Sequence, residues 1–234
     1  MTALNDHWVL ITGASTGLGR SMALEFASAG AHLLLNARNA ERLEAVKRQV
    51  EQLGVECPTV VGDVTQPAVF ESLVREGLGR QIDILVNNAG IVRIEPLEET
   101  TPEQIDYQLR LNLAVPIQLS RAMLPMFKAR RSGTIVNINS AGGRRPVKHH
   151  AVYCATKYGL NGFAETLRME LEGQGIRVVN VSPGKMNTEL FRSAGIDWDT
   201  SRFIPPEDVA KALISLLQLS PKSCPSEIAI DRMK

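Results

Sequence analysis

Tyr153 and Lys157 stand four residues apart in a stretch whose apolar pattern predicts a helix. Their side chains therefore share one face, about a turn apart. A Tyr four residues before a Lys is common by chance, and alone it describes a surface phenol beside a solvated amine. Ser140 changes the weight of the pair, because it lies thirteen residues earlier at the carboxyl end of an expected strand. A strand end and the start of the next helix can meet over the edge of a sheet. A phenol with a pKa near 10 is a sluggish acid–base group at neutral pH. A neighbouring ammonium such as Lys157 stabilises phenolate and is expected to bring that pKa down toward the useful range. A serine hydroxyl can hydrogen-bond a substrate oxygen where charge develops. The three side chains suit proton exchange with a carbonyl or an alcohol.

A second cluster points to a phosphate. Thr12-Gly13-Ala14-Ser15-Thr16-Gly17-Leu18-Gly19 follows an expected strand and opens an expected helix. Three glycines there permit a tight turn whose backbone comes close to a pyrophosphate, and the helix start beyond offers unpaired N–H groups and a favourable dipole. The spacing, Gly-x-x-x-Gly-x-Gly, differs from the commoner Gly-x-Gly-x-x-Gly fingerprint.

These groups need a scaffold that brings them together. Strands are expected at Trp8–Thr12, His32–Asn36, Thr59–Gly62, Ile84–Asn87, Gly133–Ile138, Arg177–Val181 and Ile228–Ile230. Several are nearly continuous apolar runs, the pattern of a parallel sheet covered on both faces. Helices are expected near 17–29, 39–53, 67–79, 102–130, 151–173 and 206–219, with Gly30 and Gly54 just past the first two, where a left-handed cap is favoured. The alternation reads as an α/β fold, a doubly wound parallel sheet of about seven strands with helices on both faces, in one domain spanning 1–234. Irregular stretches at 88–101, 139–150 and 182–205 each follow a strand, so they gather at the sheet edge where ligands bind in such folds.

The glycine string, Asn87-Asn88-Ala89-Gly90, Ser140, Tyr153-x-x-x-Lys157 and Pro183-Gly184 come in an order and spacing that resembles the short-chain dehydrogenase/reductase family in its compact, single-domain form. The resemblance covers nearly the whole chain. It implies reversible hydride transfer between a nicotinamide dinucleotide and a ketone, aldehyde or alcohol, with Tyr153 as general acid/base. It assigns Lys157 to the nicotinamide ribose as well, and Asn112 to a water-linked proton relay; Asn112 falls in a long helical pattern, where an Asn is alternatively a surface residue or an irregularity near Pro116. For the cofactor it implies contacts from Gly13, Ser15, Thr16, Gly17, Leu18 and Gly19 to the pyrophosphate. Asp63 is assigned to the adenine amino group, with the Val64 backbone reading the ring. Asn88, Ala89 and Gly90 pass close to the adenine ribose, while Pro183, Gly184, Met186 and Thr188 reach the nicotinamide carboxamide. A helix N-cap near Thr65 is the alternative role for Asp63, and Asn87 is expected to brace the sheet internally. Family members pair long helices, here 102–130 and 151–173, so a homodimer or homotetramer is implied. Many members end in Val-Asp-Gly-Gly and a subunit-packing tail; this chain departs from that, closing Ser226-Glu227-Ile228-Ala229-Ile230-Asp231 and three further residues.

The cofactor is expected to be NADP(H). Enzymes that use NAD commonly carry a carboxylate at the end of the second strand to hold the ribose 2′-hydroxyl. Here the run is Leu35-Asn36-Ala37-Arg38-Asn39, with no acid at that point. Arg38 can fork two charge-assisted hydrogen bonds to a 2′-phosphate, with neutral contacts from Asn36 and Ser15. The basic residue that many NADP users carry inside the glycine loop is replaced by Thr16.

The remaining features narrow the field. A net charge of +1 over 234 residues demands neither nucleic acid nor an anionic membrane as partner. Three scattered cysteines, Cys57, Cys154 and Cys224, match no metal or disulfide spacing and fit a reducing, cytoplasmic setting. Met1 to His7 carries no basic start and no apolar run of a signal peptide. His149 and His150 lack further ligand candidates, so no metal site is expected. Arg144, Arg145, Lys148, His149 and His150 form a basic stretch, read as a solvated loop in preference to an attractor for an anionic substrate. Cys154 is expected as a small buried thiol, and Trp198 as a residue that closes over substrate. A non-catalytic nucleotide sensor would not need Ser140, Tyr153 and Lys157 together. An isomerase or dehydratase of the extended type would need more chain after Thr188 for a substrate domain.

Overall fold

A computed structural model describes residues 4–189, 199–200, 202–220 and 222–233. Trp198 therefore lies outside the described residues, as does most of the 182–205 stretch beyond Glu189. Seven strands form one wholly parallel sheet: β1 (Trp8–Thr12), β2 (His32–Ala37), β3 (Thr59–Val61), β4 (Ile84–Asn87), β5 (Gly133–Ile138), β6 (Ile176–Pro183) and β7 (Glu227–Ile230). Their order is β3-β2-β1-β4-β5-β6-β7, the doubly wound, Rossmann-like arrangement. All strands run the same way, but the order in which they are added reverses between β1 and β4, which opens a crevice above their carboxyl ends.

The helices are α1 (Gly17–Ser28), α2 (Ala40–Glu51), α3 (Pro67–Gly79), α4 (Pro102–Leu109), α5 (Val115–Arg130), α6 (Ala151–Glu170) and α7 (Pro206–Leu217). Strand residues alternate between two cores. Val9 and Ile11 of β1 pack with Met22, Phe26, Leu43 and Leu213 under α1, α2 and α7. Leu10 points the other way, to Leu73, Leu119, Met123 and Phe127 under α3 and α5, with Ala164 and Leu167 of α6. Burial on both faces is why these strands read as continuous apolar runs. Gly30 and Gly54 take positive φ of 85° and 86° past α1 and α2, the left-handed geometry expected of them.

One expectation changes. The 102–130 pattern is not one helix but two, joined at Arg110–Ala114 by a widened turn in which Val115 N–H reaches back five residues to the Arg110 carbonyl. Pro116 explains the break. It has no N–H to give the Asn112 carbonyl four residues earlier, so the regular ladder cannot run through this point. Such widened turns recur at functional sites, and Asn112 sits in the middle of this one.

Candidate active site

A cleft of about 690 Å³ runs along the carboxyl ends of the strands. Gly13 to Gly19 lines it at one end, the turns after β2, β3 and β4 line its floor and far wall, and Ser140, Tyr153, Lys157 and Pro183 to Glu189 close the other side. Every sequence-predicted site residue borders this cleft except Asn112.

The glycine loop is shaped for close approach. Gly13 has φ +67°, and a side chain there would stand 2.9 Å from the Ala89 backbone. Gly19 packs the start of α1 so tightly on the loop that any Cβ would overlap the Gly13 carbonyl oxygen. Thr16 caps α1 with no side-chain hydrogen bond, and the first turn carries no acid. The helix start therefore faces the cleft with N–H donors that no side chain satisfies, which suits an anion. Thr12, which sequence reasoning passed over, holds the opposite wall: its hydroxyl accepts from the backbone N–H groups of Asn88 at 3.1 Å and Ala89 at 3.0 Å. The Asn88 amide donates to the Thr12 and Gly13 carbonyls, at 2.8 and 3.1 Å, and so ties loop to loop. Asn87 braces the sheet, donating to Asn137 Oδ1 at 2.9 Å, as expected.

At the adenine end, two readings need correction. Asp63 caps no helix, because α3 begins at Pro67 with Gln66 before it. Its Oδ1 instead accepts from the N–H and hydroxyl of Thr65, at 2.9 and 2.8 Å, while Oδ2 accepts from the Tyr107 hydroxyl at 2.6 Å. Burial pushes the Asp63 pKa up, but these hydrogen bonds and the Arg38 charge outweigh it and hold the carboxyl below its usual value. The side-chain nitrogen of Asn36 offers no free contact; it donates to the Val60 and Gly62 carbonyls at 2.8 and 3.2 Å, stapling β2 to β3. Arg38 is exposed, follows β2 directly, and donates to Tyr107 Oη at 3.2 Å. Arg42 of α2 forms an ion pair at 2.5 Å with Glu189, just past Thr188. Tyr107, Arg42 and Glu189 all line the cleft, and none was singled out from the sequence.

The proton-handling group is built by an asparagine clamp. Asn139, at the end of β5, donates to Asn161 Oδ1 at 2.5 Å and to the Lys157 carbonyl at 3.2 Å. Asn161 donates to the Gly143 carbonyl at 2.6 Å. The turn after β5 is thereby bolted to α6, and Ser140 is set against Tyr153. Ser140 Oγ accepts from Gly142 N–H at 3.0 Å and is hydrogen-bonded to Tyr153. Gly142 packs closely on the phenol: a Cβ there would come 3.2 Å from the Tyr153 ring, a tight contact.

The Tyr153 pKa is raised by burial and not lowered as its pairing with Lys157 suggested, although Lys157 stands within cation–π range of the ring. The Lys157 Nζ donates to the Ile138 carbonyl at 2.8 Å and lies 5.8 Å from the Tyr153 ring centre. Burial pushes the Tyr153 phenol up to about 12, against a lowering by the Ser140 hydrogen bond, and burial brings the Lys157 ammonium down to about 8. Asn112 is wholly buried behind the cleft wall: Oδ1 accepts from Ile91 N–H at 2.9 Å, and Nδ2 donates to the Ile91 carbonyl at 2.9 Å and to Thr156 Oγ1 at 3.3 Å. Its amide pins the turn after β4, so any part in a relay falls to its main chain.

The features set aside also resolve. Cys154 is half-buried rather than buried, because it flanks the inward stripe of α6 formed by Thr156, Lys157, Leu160, Ala164 and Leu167. Arg144 and Arg145 pair with Glu227 at 3.3 Å and Asp231 at 3.7 Å, so part of the basic stretch braces β7. The His150 ring stands edge-on to Tyr153 at 6.2 Å. Among the described residues, no helix is long and apolar enough to cross a membrane, and no three His, Cys, Asp or Glu converge as metal ligands.

Comparison with known proteins agrees with this geometry. The family model for short chain dehydrogenases matches residues 7–197. Sepiapterin reductase of Chlorobaculum tepidum is 32% identical over 217 residues, covering 89% of this chain and 88% of the relative. A metagenomic short-chain oxidoreductase solved with NADP superposes with a TM-score of 0.87 at 31% identity, over 100% of both chains. A short-chain dehydrogenase from Sphingobium yanoikuyae in complex with NADPH gives a TM-score of 0.86 at 32% identity, over 96% of this chain and 87% of the other. The chain belongs to the short-chain dehydrogenase/reductase family of oxidoreductases.

Proposed function

We propose that the protein is an NADP(H)-dependent oxidoreductase that interconverts a ketone or aldehyde and an alcohol, with Tyr153 as the general acid/base. The observation that carries this reading is the convergence of Ser140, Tyr153 and Lys157 on the same cleft as an uncapped helix start and a glycine loop in which Gly13 and Gly19 leave no room for a Cβ. The cradle fits a dinucleotide: unpartnered N–H donors face a pyrophosphate, and Arg38 stands at the end of β2 with no carboxylate beside it to repel a 2′-phosphate. The two solved relatives described above carry NADP or NADPH, which favours the same cofactor here. A nicotinamide dinucleotide, when bound, supplies or accepts the hydride.

The chain's own residues handle the proton. With its pKa raised to about 12, the Tyr153 phenol stays protonated at neutral pH, the form that carbonyl reduction requires of a donor. Ser140 orients the substrate oxygen toward that phenol and adds fixed polarity where negative charge develops. Lys157 keeps two of its three N–H donors after the Ile138 bond, enough to hold ribose hydroxyls. The protein works as one domain, and as a homodimer or homotetramer through α4 and α6, which expose Leu109, Tyr158 and Met169.

The test is NADPH oxidation against a panel of ketones and aldehydes, repeated with Tyr153→Phe. Loss of the general acid should lower kcat by about 10²–10⁴ while dinucleotide affinity stays near wild type. A Phe variant that turns over at wild-type rate would overturn the role of Tyr153, and a wild type that prefers NADH would overturn that of Arg38.

A further inference from the structure

We propose that Tyr107 is the residue that positions Arg38 for cofactor selection, holding its guanidinium on the cleft side where a dinucleotide 2′-phosphate would lie. This rests on the reading of the cleft as an NADP(H) site.

Three elements meet at the Tyr107 hydroxyl: Arg38 from the end of β2, Asp63 from the turn after β3, and Tyr107 itself from α4. The direction of each hydrogen bond is forced. An ionised carboxylate cannot donate and a guanidinium cannot accept, so the phenol donates to Asp63 Oδ2 and accepts from Arg38 Nη1. Asp63 is the fixed end of this chain, because Thr65 holds its other oxygen with two bonds. That count also leaves one lone pair on Oδ2 for an adenine amino group. Arg38 is the loose end: it is exposed, and among the described residues its one hydrogen bond is to Tyr107. Four of its five N–H donors remain free for a phosphate, in the fork that suits a bidentate contact.

The phenol also keeps the two charges apart. Arg38 already feels the Asp63 carboxylate, and Tyr107 feels both. Without the hydroxyl between them, the guanidinium could close directly on Asp63. That would occupy both the adenine acceptor and the phosphate donor. Tyr107 itself lines the cleft and is half-buried, so its ring is anchored while its hydroxyl does the positioning.

The experiment measures binding of 2′,5′-ADP and 5′-ADP by calorimetry to wild type, Tyr107→Phe, Arg38→Ala and the double variant, with thermal unfolding to show that each is folded. Phe keeps the ring and its packing. A hydrogen bond to a charged group is worth about tenfold in affinity. We expect Tyr107→Phe to weaken 2′,5′-ADP by about tenfold and 5′-ADP by about threefold or less, and to have no further effect on their ratio once Arg38 is gone. Equal weakening of both ligands, no weakening of either, or a selective loss that persists in the Arg38→Ala background would each overturn the proposal. A wild type that does not favour 2′,5′-ADP would remove the cofactor reading first, and this inference with it.

Discussion

Replacing Gly19 by alanine adds a single methyl group to a helix, where alanine is ordinarily the better residue by about 1 kcal/mol. At this position the structure reverses that sign. The new Cβ would overlap the Gly13 carbonyl oxygen and stand 2.6 Å from Asn88 Nδ2. Neither atom is a free side-chain end: one is backbone, and the other donates to the Thr12 and Gly13 carbonyls at 2.8 and 3.1 Å. Overpacking of this kind costs about 1–3 kcal/mol, and displacing the Asn88 amide forfeits one or two hydrogen bonds at about 1 kcal/mol each. Less the gain in helix propensity, the net loss is about 1–4 kcal/mol. For a chain of this size each kcal/mol lowers Tm by about 2–4 °C, so Gly19→Ala should melt roughly 2–16 °C below wild type. Gly79 is the control: it closes α3 with nothing within 4 Å of a Cβ, and Gly79→Ala should leave Tm unchanged or slightly raised. Both are read by thermal unfolding, with dinucleotide binding by fluorescence alongside. A Gly19→Ala variant that melts with wild type would refute the packing argument, and one that melts with wild type and still binds would place the phosphate elsewhere.

Three further outcomes follow from the same geometry. Asn112→Ala strips both hydrogen bonds from the Ile91 backbone, so stability should fall by about 2–4 kcal/mol in urea unfolding; a change below 0.5 kcal/mol, as an order-of-magnitude threshold, would show that the turn after β4 does not depend on it. Lys157 should make stability rise with pH between about 8 and 10.5, because over that window the unfolded chain binds the proton that the folded one has lost. Lys157→Met should abolish that rise, worth at most about 3 kcal/mol; parallel pH–stability curves for the two proteins would contradict the burial argument. Arg42→Ala removes an ion pair whose side chains are 54% and 52% exposed, so it should change stability by less than about 1 kcal/mol, with even that difference fading in high salt. A large, salt-independent loss of Tm would mean that the pair is more protected than its exposure suggests.

Much of the fold was legible because its signals are local. Apolar runs such as Val9-Leu10-Ile11 and Leu33-Leu34-Leu35 are buried on both faces, which leaves a parallel-strand signature in a handful of residues. Gly30 and Gly54 marked helix ends because only a residue without Cβ is comfortable at their positive φ. The break at 110–114 was not legible as a break. Leu109, Leu111, Leu113 and Val115 keep the apolar content of a helix, and the widened turn is decided by one missing N–H at Pro116 together with what Asn112 finds across the chain.

The side chains proposed for catalysis lie near one another in sequence or at strand ends, so Ser140, Tyr153 and Lys157 could be assembled from spacing, strand position and the family resemblance together. Their electrostatics could not. Four residues of helix suggest an ammonium lowering the pKa of a phenol, but the depth of the cleft decides the direction: burial raises one pKa and lowers the other, and the Ile138 carbonyl takes one of the three Lys157 N–H donors. The same is true of the far end of the cleft. Tyr107 meets Asp63 and Arg38 across separations of 44 and 69 residues, and Arg42 meets Glu189 across 147. In a single sequence Tyr107, Arg42 and Glu189 are ordinary polar residues on a helix or a loop. What gives them a shared role is the switch in strand order between β1 and β4, which brings the ends of β2 and β3, the last turn of α4 and the turn after β6 to one rim. The residues proposed for proton transfer were therefore readable from local motifs, whereas those proposed to tune charge around the cofactor depend on the topology, and it is there that substitutions should change cofactor choice without disturbing the reaction.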